Sequence, residues 1–367
     1  MKMYQTPGRM CYDAVNGGHA MFDESNTIRD LLEDKLVADY LDLVYPKSFV
    51  ELVPEEYRDV PLKKLPEYVK MPWGVPYISR AVLEAVGRLY ELNNDENIDC
   101  IPLWKDCRTA QKLTKPSNTK ETACLFLYKD TFKDNRPVAL IVPGGAYSSV
   151  SVAGEGMDTA DALREKGYAV AILRYRCRPG YYPKPQQDLA LAVKYIRANA
   201  EELHTDGGDL LVIGFSAGGH LAASETVYAP MIESGLMNEL KAGSPGLYDR
   251  YLGVSAKADK IALAYAFTGG AESADCFVNH VGSHTERIDD LIVFHHINSD
   301  FPKCFIWACE DDPVVDISNS TEMAHALEKN GVPCRLRLYP NGGHGRGTAK
   351  GTAAEGWLEE MLRFFSR

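Results

Sequence analysis

A serine at residue 216 lies where its surroundings suit nucleophilic chemistry. The apolar run 211–213 leads directly into GFSAG, residues 214–218, and a helix-compatible stretch follows. A Gly-x-Ser-x-Gly pattern between a strand and a helix is typical of a nucleophile elbow, a sharp turn with the serine at its tip. The two glycines leave room where side chains would collide across the turn. We therefore predict that Ser216 is a nucleophile.

A histidine late in the chain is the candidate proton carrier for this serine. His344 lies on the glycine-rich loop 340–345, which follows the alternating run 335–339. Such a loop bends freely, so the imidazole can point back over the edge of a sheet and serve as general base and then general acid. A loop histidine taken alone is more often solvated or structural, so the prediction depends on its companions.

Two neighbouring aspartates compete for the role of the acid that supports His344. Both Asp311 and Asp312 follow the apolar run 305–309, and Asp312 directly precedes a proline. A carboxylate there would fix the imidazole tautomer and stabilise its protonated form. We choose Asp312 because of its place before the turn, with Asp311 as the alternative. Either one also suits a plain turn or the cap of the next helix.

The loop PGGAY, residues 143–147, is the candidate oxyanion-binding loop. It follows the apolar run 137–142. Backbone N–H groups in a glycine-rich turn can stabilise the negative oxygen of a tetrahedral intermediate, and Gly145 or Ala146 is the expected donor. An ordinary strand-ending turn is the competing interpretation. Tyr147 suits substrate contact as well as core packing, and Glu155 suits a pocket rim as well as the first turn of a helix.

From about residue 137 to the C terminus the chain resembles bacterial α/β-hydrolases of the acetylxylan esterase type, which are related to feruloyl esterases and hormone-sensitive-lipase-like enzymes. The order Ser216, Asp312, His344 is the order of that superfamily. The resemblance rests on PGGAY (143–147), ILRYR (172–176), GFSAGGHLA (214–222), DDPVV (311–315), NS (319–320) and GGHG (342–345).

The resemblance implies the α/β-hydrolase fold, a mainly parallel sheet with helices on both faces. It also implies that the N–H of Ala217, the residue after the nucleophile, is the other oxyanion donor. Two positions depart from the family pattern. Ala146 stands where members often have a third glycine, and Asp316 stands where they often have proline. Neither departure removes a catalytic group.

The expected activity is that of a serine carboxylesterase acting through an acyl-enzyme on small acyl esters, above all acetyl esters of sugars or xylo-oligosaccharides. A feruloyl esterase, an arylformamidase or a small peptidase would use the same fold and the same three residues. A binding protein on a hydrolase scaffold is the alternative of another class. Such proteins typically lose one of the three residues, whereas all three are present here.

Composition narrows the expected partners and cofactors. The 367 residues carry a formal net charge of −11, with 40 basic and 51 acidic side chains and no basic cluster. This balance argues against nucleic acid and anionic membrane surfaces as partners. Nine cysteines without paired spacing indicate free thiols, and the N terminus lacks a signal-peptide pattern, so we expect a cytoplasmic protein. Metal and cofactor motifs are absent from the sequence, so neither is expected.

The chain divides, by pattern, at about residue 99. Residues 1–99 are predicted to form a helical accessory region, with helices near 28–43 and 79–92. A structural or assembly role, by packing on the hydrolase region or by a homo-oligomer contact, is expected rather than a role in shaping the substrate entrance. Residues 100–367 alternate strands and helices, which demands a mainly parallel sheet covered on both faces. Segments near 234–258 and 269–298 interrupt the alternation and are predicted insertions that form lids or substrate walls.

Overall fold

A single mixed sheet carries the candidate site. The computed structural model describes residues 22–46, 48–71, 76–105, 123–177, 181–269, 279–282 and 288–367. Its strands form an eight-stranded sheet in the order β1-β2-β4-β3-β5-β6-β7-β8. They are β1 (Ile98–Pro102), β2 (Cys124–Tyr128), β3 (Arg136–Val142), β4 (Ala169–Arg174), β5 (Thr205–Phe215), β6 (Lys260–Ala264), β7 (Lys303–Cys309) and β8 (Cys334–Tyr339).

The sheet is mainly parallel, as predicted. Strands β3 to β8 pair in parallel, and only β1 and β2 at one edge pair antiparallel to their neighbours. All of β4 and the last six residues of β5 are buried. Continuous apolar burial is typical of strands covered on both faces, because neither face alternates with polar residues. The carboxyl ends of β3, β5, β7 and β8 consequently lie along one edge, where the predicted site residues follow.

Helices connect the parallel strands and cover the sheet. A π-helix (Val152–Met157) precedes the helix after β3 and was not predicted. The α-helices are α1 (Ile28–Glu33), α2 (Lys35–Tyr40), α3 (Ser48–Glu51), α4 (Ser79–Asn94), α5 (Asp158–Glu165), α6 (Lys184–Ala198), α7 (Ala217–Val227), α8 (Ala229–Gly243), α9 (Pro245–Tyr251), α10 (Ser318–Lys329) and α11 (Trp357–Phe365).

The helix predicted near 28–43 is broken into two short helices and a 3₁₀ turn. Thr27 caps α1 in a capping box with Asp30. Asp34 then adopts an extended backbone, and its side chain accepts a hydrogen bond from the N–H of Val37. Asp34 therefore caps a new helix in the middle of the apolar pattern, and this second cap ends the first helix.

The N-terminal helices pack against the sheet region beside the candidate site. Their apolar side chains belong to the same buried cluster as those of the sheet. The carbonyl of Val44 accepts a 3.0 Å hydrogen bond from the N–H of Ala153 in the π-helix. Arg88 on α4 pairs with Asp158 and Asp161 of α5 at 2.6 and 2.8 Å. The division at residue 99 stays a prediction.

The first predicted insertion, 234–258, is largely helical, and its side chains Leu236, Leu240 and Tyr251 are buried. The second, 269–298, lies partly outside the described residues. The cysteines within the described ranges are free thiols, in line with their spacing. Across these ranges, no helix has both the length and the apolar character needed to cross a bilayer.

A buried carboxyl lies on the helix that follows the candidate nucleophile. Glu225 on α7 is 3% exposed, and its Oε1 has no hydrogen-bond partner among the described residues. Burial raises its pKa from 4.5 to about 8, with Glu233 adding to the rise and Lys194 opposing it. The folded protein therefore keeps this group protonated at neutral pH.

The Glu225→Gln variant is expected to gain stability over wild type as the pH rises. Because the folded pKa lies above the unfolded one, the contribution of Glu225 is present below pH 4.5 and is lost as the pH rises through about 8. Between these two pH values, the difference in unfolding free energy between variant and wild type is expected to change by at most about 1.4 kcal/mol per pH unit. Urea denaturation of both proteins at several pH values in this window measures the difference. A difference that does not vary with pH would contradict a protonated, buried Glu225.

Candidate active site

The three predicted residues Ser216, Asp312 and His344 meet in one chain of hydrogen bonds. His344 Nε2 lies 2.9 Å from Ser216 Oγ, and His344 Nδ1 lies 2.7 Å from Asp312 Oδ2. The Asp312 side chain is 1% exposed and that of His344 is 14% exposed. A carboxylate only accepts, so Nδ1 carries the imidazole proton and Nε2 is left to accept from the serine hydroxyl. This is the geometry that transfer of the serine proton requires.

Close crossing of the backbone around Ser216 accounts for the glycines of the motif. Ser216 has a φ of 50° and a ψ of −120°, a backbone conformation that residues other than glycine rarely adopt. A Cβ at Gly214 would lie 2.5 Å from the carbonyl oxygen of Gly218, and one at Gly218 would overlap the carbonyl oxygen of Val142. Helix α7 can therefore start directly over the ends of β3 and β5 only with glycine at both positions.

The two adjacent aspartates have different partners. Asp312 Oδ1 accepts the N–H groups of Val314 and Val315 at 2.8 and 3.0 Å, which leaves Oδ2 for the imidazole. Asp311 Oδ1 accepts the N–H groups of Gly342 and Gly343 at 2.9 and 2.8 Å. The structure thus brings Asp312 to His344 and places Asp311 as a clamp on the loop that carries His344.

The candidate oxyanion loop makes a left-handed turn next to the serine. Gly145, Ala146 and Tyr147 have φ values of 133°, 51° and 56°. A Cβ at Gly144 would lie 2.8 Å from Ser216 Cβ, so the loop runs directly past the nucleophile. Ala146 holds a conformation that costs an L-residue about 1 kcal/mol and that glycine adopts freely. The departure from a third glycine therefore places strain in this loop.

The predicted oxyanion donors flank Ser216 from two sides. Gly145 and Ala146 lie on this loop, and Ala217 is the first residue of α7. The first N–H groups of an α-helix lack acceptors within the helix, and the helix dipole favours negative charge there. An anionic oxygen beside Ser216 would therefore find favourable surroundings. Their role as donors stays a prediction.

Tyr147 is buried, and its hydroxyl is engaged with the elbow helix. It is 1% exposed, and its Oη lies 2.6 Å from His220 Nδ1. His220 Nε2 lies 2.9 Å from the carbonyl of Leu291, which only accepts, so Nε2 carries the proton and Tyr147 donates to Nδ1. Burial lowers the pKa of His220 to about 4, which keeps it neutral. The ring of Tyr147 also stacks on His280, with 3.8 Å between centroids.

These contacts tie the oxyanion loop to helix α7. His220 therefore packs and hydrogen-bonds beneath the elbow. The predicted contact of Tyr147 with substrate stays a prediction. Among the described residues, no group of three or more histidine, cysteine, aspartate or glutamate side chains is arranged to hold a metal ion.

Comparison with known proteins places the chain in a family. Residues 125–327, more than half of the chain, match the BD-FAE family model. The chain belongs to the BD-FAE family. The described sheet and its solved relatives show the α/β-hydrolase fold that the motifs predicted.

Relatives of this BD-FAE protein include esterases. It is 29% identical over 253 residues to endo-1,4-beta-xylanase B of Butyrivibrio fibrisolvens, which covers 65% of this chain and 38% of that protein. It is 27% identical over 247 residues to an acetylxylan esterase of Xylanibacter ruminicola, and this match covers 67% of this chain and 48% of that protein. The chain therefore spans less than half the length of these curated relatives.

A solved relative matches over nearly its whole length. The acetyl ester-xyloside bifunctional hydrolase of Caldicellulosiruptor lactoaceticus has a TM-score of 0.59 and 27% identity. The match covers 73% of this chain and 95% of that one. The shared region extends over about three quarters of the BD-FAE protein.

The Tyr147→Phe variant is expected to lose about 1–2 kcal/mol of unfolding free energy, because the buried His220 Nδ1 would be left without its donor. Urea denaturation measures the loss. A double-mutant cycle with His220→Ala separates the hydrogen bond from general packing, with an expected coupling of about 1 kcal/mol. Strictly additive effects of the two substitutions would contradict the inferred bond.

Proposed function

We propose that this protein is a serine carboxylesterase that hydrolyses small acyl esters, above all acetyl esters of sugars or xylo-oligosaccharides. The observation that carries the proposal is the hydrogen-bonded chain from Ser216 through His344 to Asp312 at the tip of a strained elbow. Membership of the BD-FAE family and relatives that are carboxylic ester hydrolases and acetylxylan esterases support the same reaction class.

In the acylation half of the proposed reaction, Ser216 Oγ attacks the ester carbonyl while His344 Nε2 takes its proton. The carbonyl oxygen becomes an oxyanion that the N–H groups of Ala217 and of Gly145 or Ala146 stabilise. Asp312 supports the imidazolium through Nδ1–H. The intermediate collapses as the bond to the alcohol breaks, and His344 returns the proton to the leaving oxygen. The products are the free alcohol and an acyl-serine.

Deacylation repeats these steps with water as the nucleophile. His344 Nε2 removes a proton from water, whose oxygen attacks the acyl carbonyl at the same face. The oxyanion forms between the same donors. The bond to Ser216 Oγ then breaks, His344 gives the proton to that oxygen, and the carboxylic acid leaves. The serine hydroxyl and the neutral imidazole are thereby restored.

The proposed substrate class comes from the relatives. One is an endo-1,4-beta-xylanase, one an acetylxylan esterase and one an acetyl ester-xyloside bifunctional hydrolase. Each name refers to xylan or a xyloside, and two of the three refer to acetyl esters. An acetylated xylo-oligosaccharide fits both the substrates in these names and the proposed serine esterase mechanism.

The Ser216→Ala variant is expected to lose activity by a factor of about 10⁴ or more, because no other group can form the acyl-enzyme. Initial rates on p-nitrophenyl esters from acetate to octanoate measure this, and the wild type is expected to prefer acetate. Acetate release from acetylated xylo-oligosaccharides then tests the sugar. Full activity of Ser216→Ala would contradict the mechanism, whereas turnover of amides alone would favour a peptidase or an arylformamidase.

Asp312→Asn and Asp311→Asn form a matched pair of adjacent, isosteric substitutions. Asparagine at 312 can no longer hold the required tautomer of His344, so kcat is expected to fall about 10³–10⁴-fold. Asparagine at 311 keeps an oxygen that can accept from the histidine loop, so its effect is expected to stay within about tenfold. Steady-state kinetics on p-nitrophenyl acetate compares them. The reverse ranking would make Asp311 the acid.

A further inference from the structure

A buried carboxylate connects the oxyanion loop to the histidine loop. Glu155 is 3% exposed, and its Oε2 accepts a 2.6 Å hydrogen bond from the N–H of Gly144. Its Oε1 accepts a 2.9 Å hydrogen bond from the hydroxyl of Tyr265. That hydroxyl oxygen in turn accepts a 3.0 Å hydrogen bond from the N–H of Gly347, three residues after His344. One side chain thus fixes both loops that the proposed reaction uses.

The local backbone is built around this carboxylate. Glu155 lies in the π-helix, where the N–H of Gly156 reaches the carbonyl of Ser151 five residues earlier. A Cβ at Gly144 would lie 3.0 Å from Glu155 Oε2, and one at Gly347 would lie 2.5 Å from the carbonyl oxygen of Gly154. The oxyanion loop therefore lies against the Glu155 side chain, and the histidine loop packs on the π-helix backbone too closely for a side chain at residue 347. Such wide turns are rare in proteins, and those that occur often lie at functional sites.

The position of Glu155 also gives it an electrostatic connection to His344. Burial raises the pKa of Glu155 overall. The Gly144 N–H, the charge of His344 and the Tyr265 hydroxyl act in the opposite direction. The ring of Tyr265 lies between these groups, with 4.8 Å from its centroid to that of His344. Within the described ranges, the titratable groups near His344 include Asp312, Tyr265 and Glu155. Neither hydrogen bond of Glu155 described above comes from a cation.

We propose that Glu155 is a positioning residue that holds the oxyanion loop against the histidine loop and whose negative charge stabilises the protonated form of His344. This inference rests on the proposed esterase function. Glu155 exchanges no proton in it. The N–H of Gly144 and the hydroxyl of Tyr265 donate to its two oxygens and so favour the ionised form on which the proposal depends. Its effect is largest in the states where the imidazole is charged.

Three variants separate the tie between the loops from the charge. Glu155→Gln keeps the shape and one acceptor oxygen but removes the charge. Tyr265→Phe cuts the connection to Gly347 and leaves the charge. Asp158→Asn is the matched control, because Asp158 lies three residues further on and pairs with Arg88 instead. Wild type and variants are compared on p-nitrophenyl acetate for kcat, KM and the pH dependence of kcat/KM, with near-UV circular dichroism to verify folding.

Glu155→Gln is expected to lower kcat about 10–100-fold with KM changed by less than about threefold, because the loss falls on the transition state. It is also expected to move the acid limb of the kcat/KM profile to lower pH by about half a unit. The sign follows because removing a nearby negative charge disfavours the imidazolium and lowers its pKa. Tyr265→Phe is expected to lower kcat with the acid limb unmoved, and Asp158→Asn to change neither.

Two results would overturn the inference while the esterase proposal stands. One is an active wild type with a Glu155→Gln variant of equal kcat, and the other is a lowered kcat with an unmoved acid limb, which is what a purely structural residue would give. If Glu155→Gln does not fold, Glu155→Ala and Glu155→Asp carry the test. Glu155→Ala removes the charge and is expected to move the acid limb to lower pH, whereas Glu155→Asp keeps the charge and leaves the limb in place, and equal acid limbs in the two variants would contradict the proposal. A folded wild type without any esterase activity would overturn both proposals.

Discussion

The close crossing of three backbone segments at the elbow is the constraint on which the rest of the candidate site depends. Helix α7 begins directly over the ends of β3 and β5, with Ser216 held at a positive φ between them. The contact leaves no space for a Cβ at Gly214 or Gly218. The burial of the central strands stabilises this arrangement, since a well-packed sheet is needed to hold a residue in a strained conformation. This backbone conformation directs the Ser216 hydroxyl toward the loops that follow the neighbouring strands.

Carboxylates organise those loops by accepting backbone N–H groups. Asp311 holds the loop of His344, Asp312 holds its own turn while bonding the imidazole, and Glu155 holds the oxyanion loop. Charge-assisted hydrogen bonds to backbone groups are shorter and stronger than neutral ones, so each loop gains a defined position without regular secondary structure. Positioning of this kind matters because a reacting group displaced by about 1 Å can cost a factor of about 100 in rate.

Much of this arrangement was predictable from local sequence, and the remainder depends on contacts between distant segments. Gly-x-Ser-x-Gly after an apolar run locates Ser216, and strand-helix alternation predicts the mainly parallel sheet, because both signals lie within short windows. Asp311 and Asp312 differ in their partners on a loop about thirty residues further along the chain. The positions of the two aspartates in the sequence do not reveal which of them contacts His344. The π-helix and the burial of Glu155 depend on packing against two loops. The break at Asp34 was missed because a cap within an apolar pattern overrides the periodicity.

The central claim is that His344 and Asp312 make Ser216 a nucleophile, and an irreversible acyl-transfer probe tests it most directly. The protein is treated with diethyl p-nitrophenyl phosphate, release of nitrophenolate is followed, and the modified residue is located by peptide mass mapping. The account predicts one diethylphosphoryl group per chain, attached to Ser216, and a His344→Ala variant that reacts slower by orders of magnitude. Modification at another residue, or equal labelling without the histidine, would contradict it.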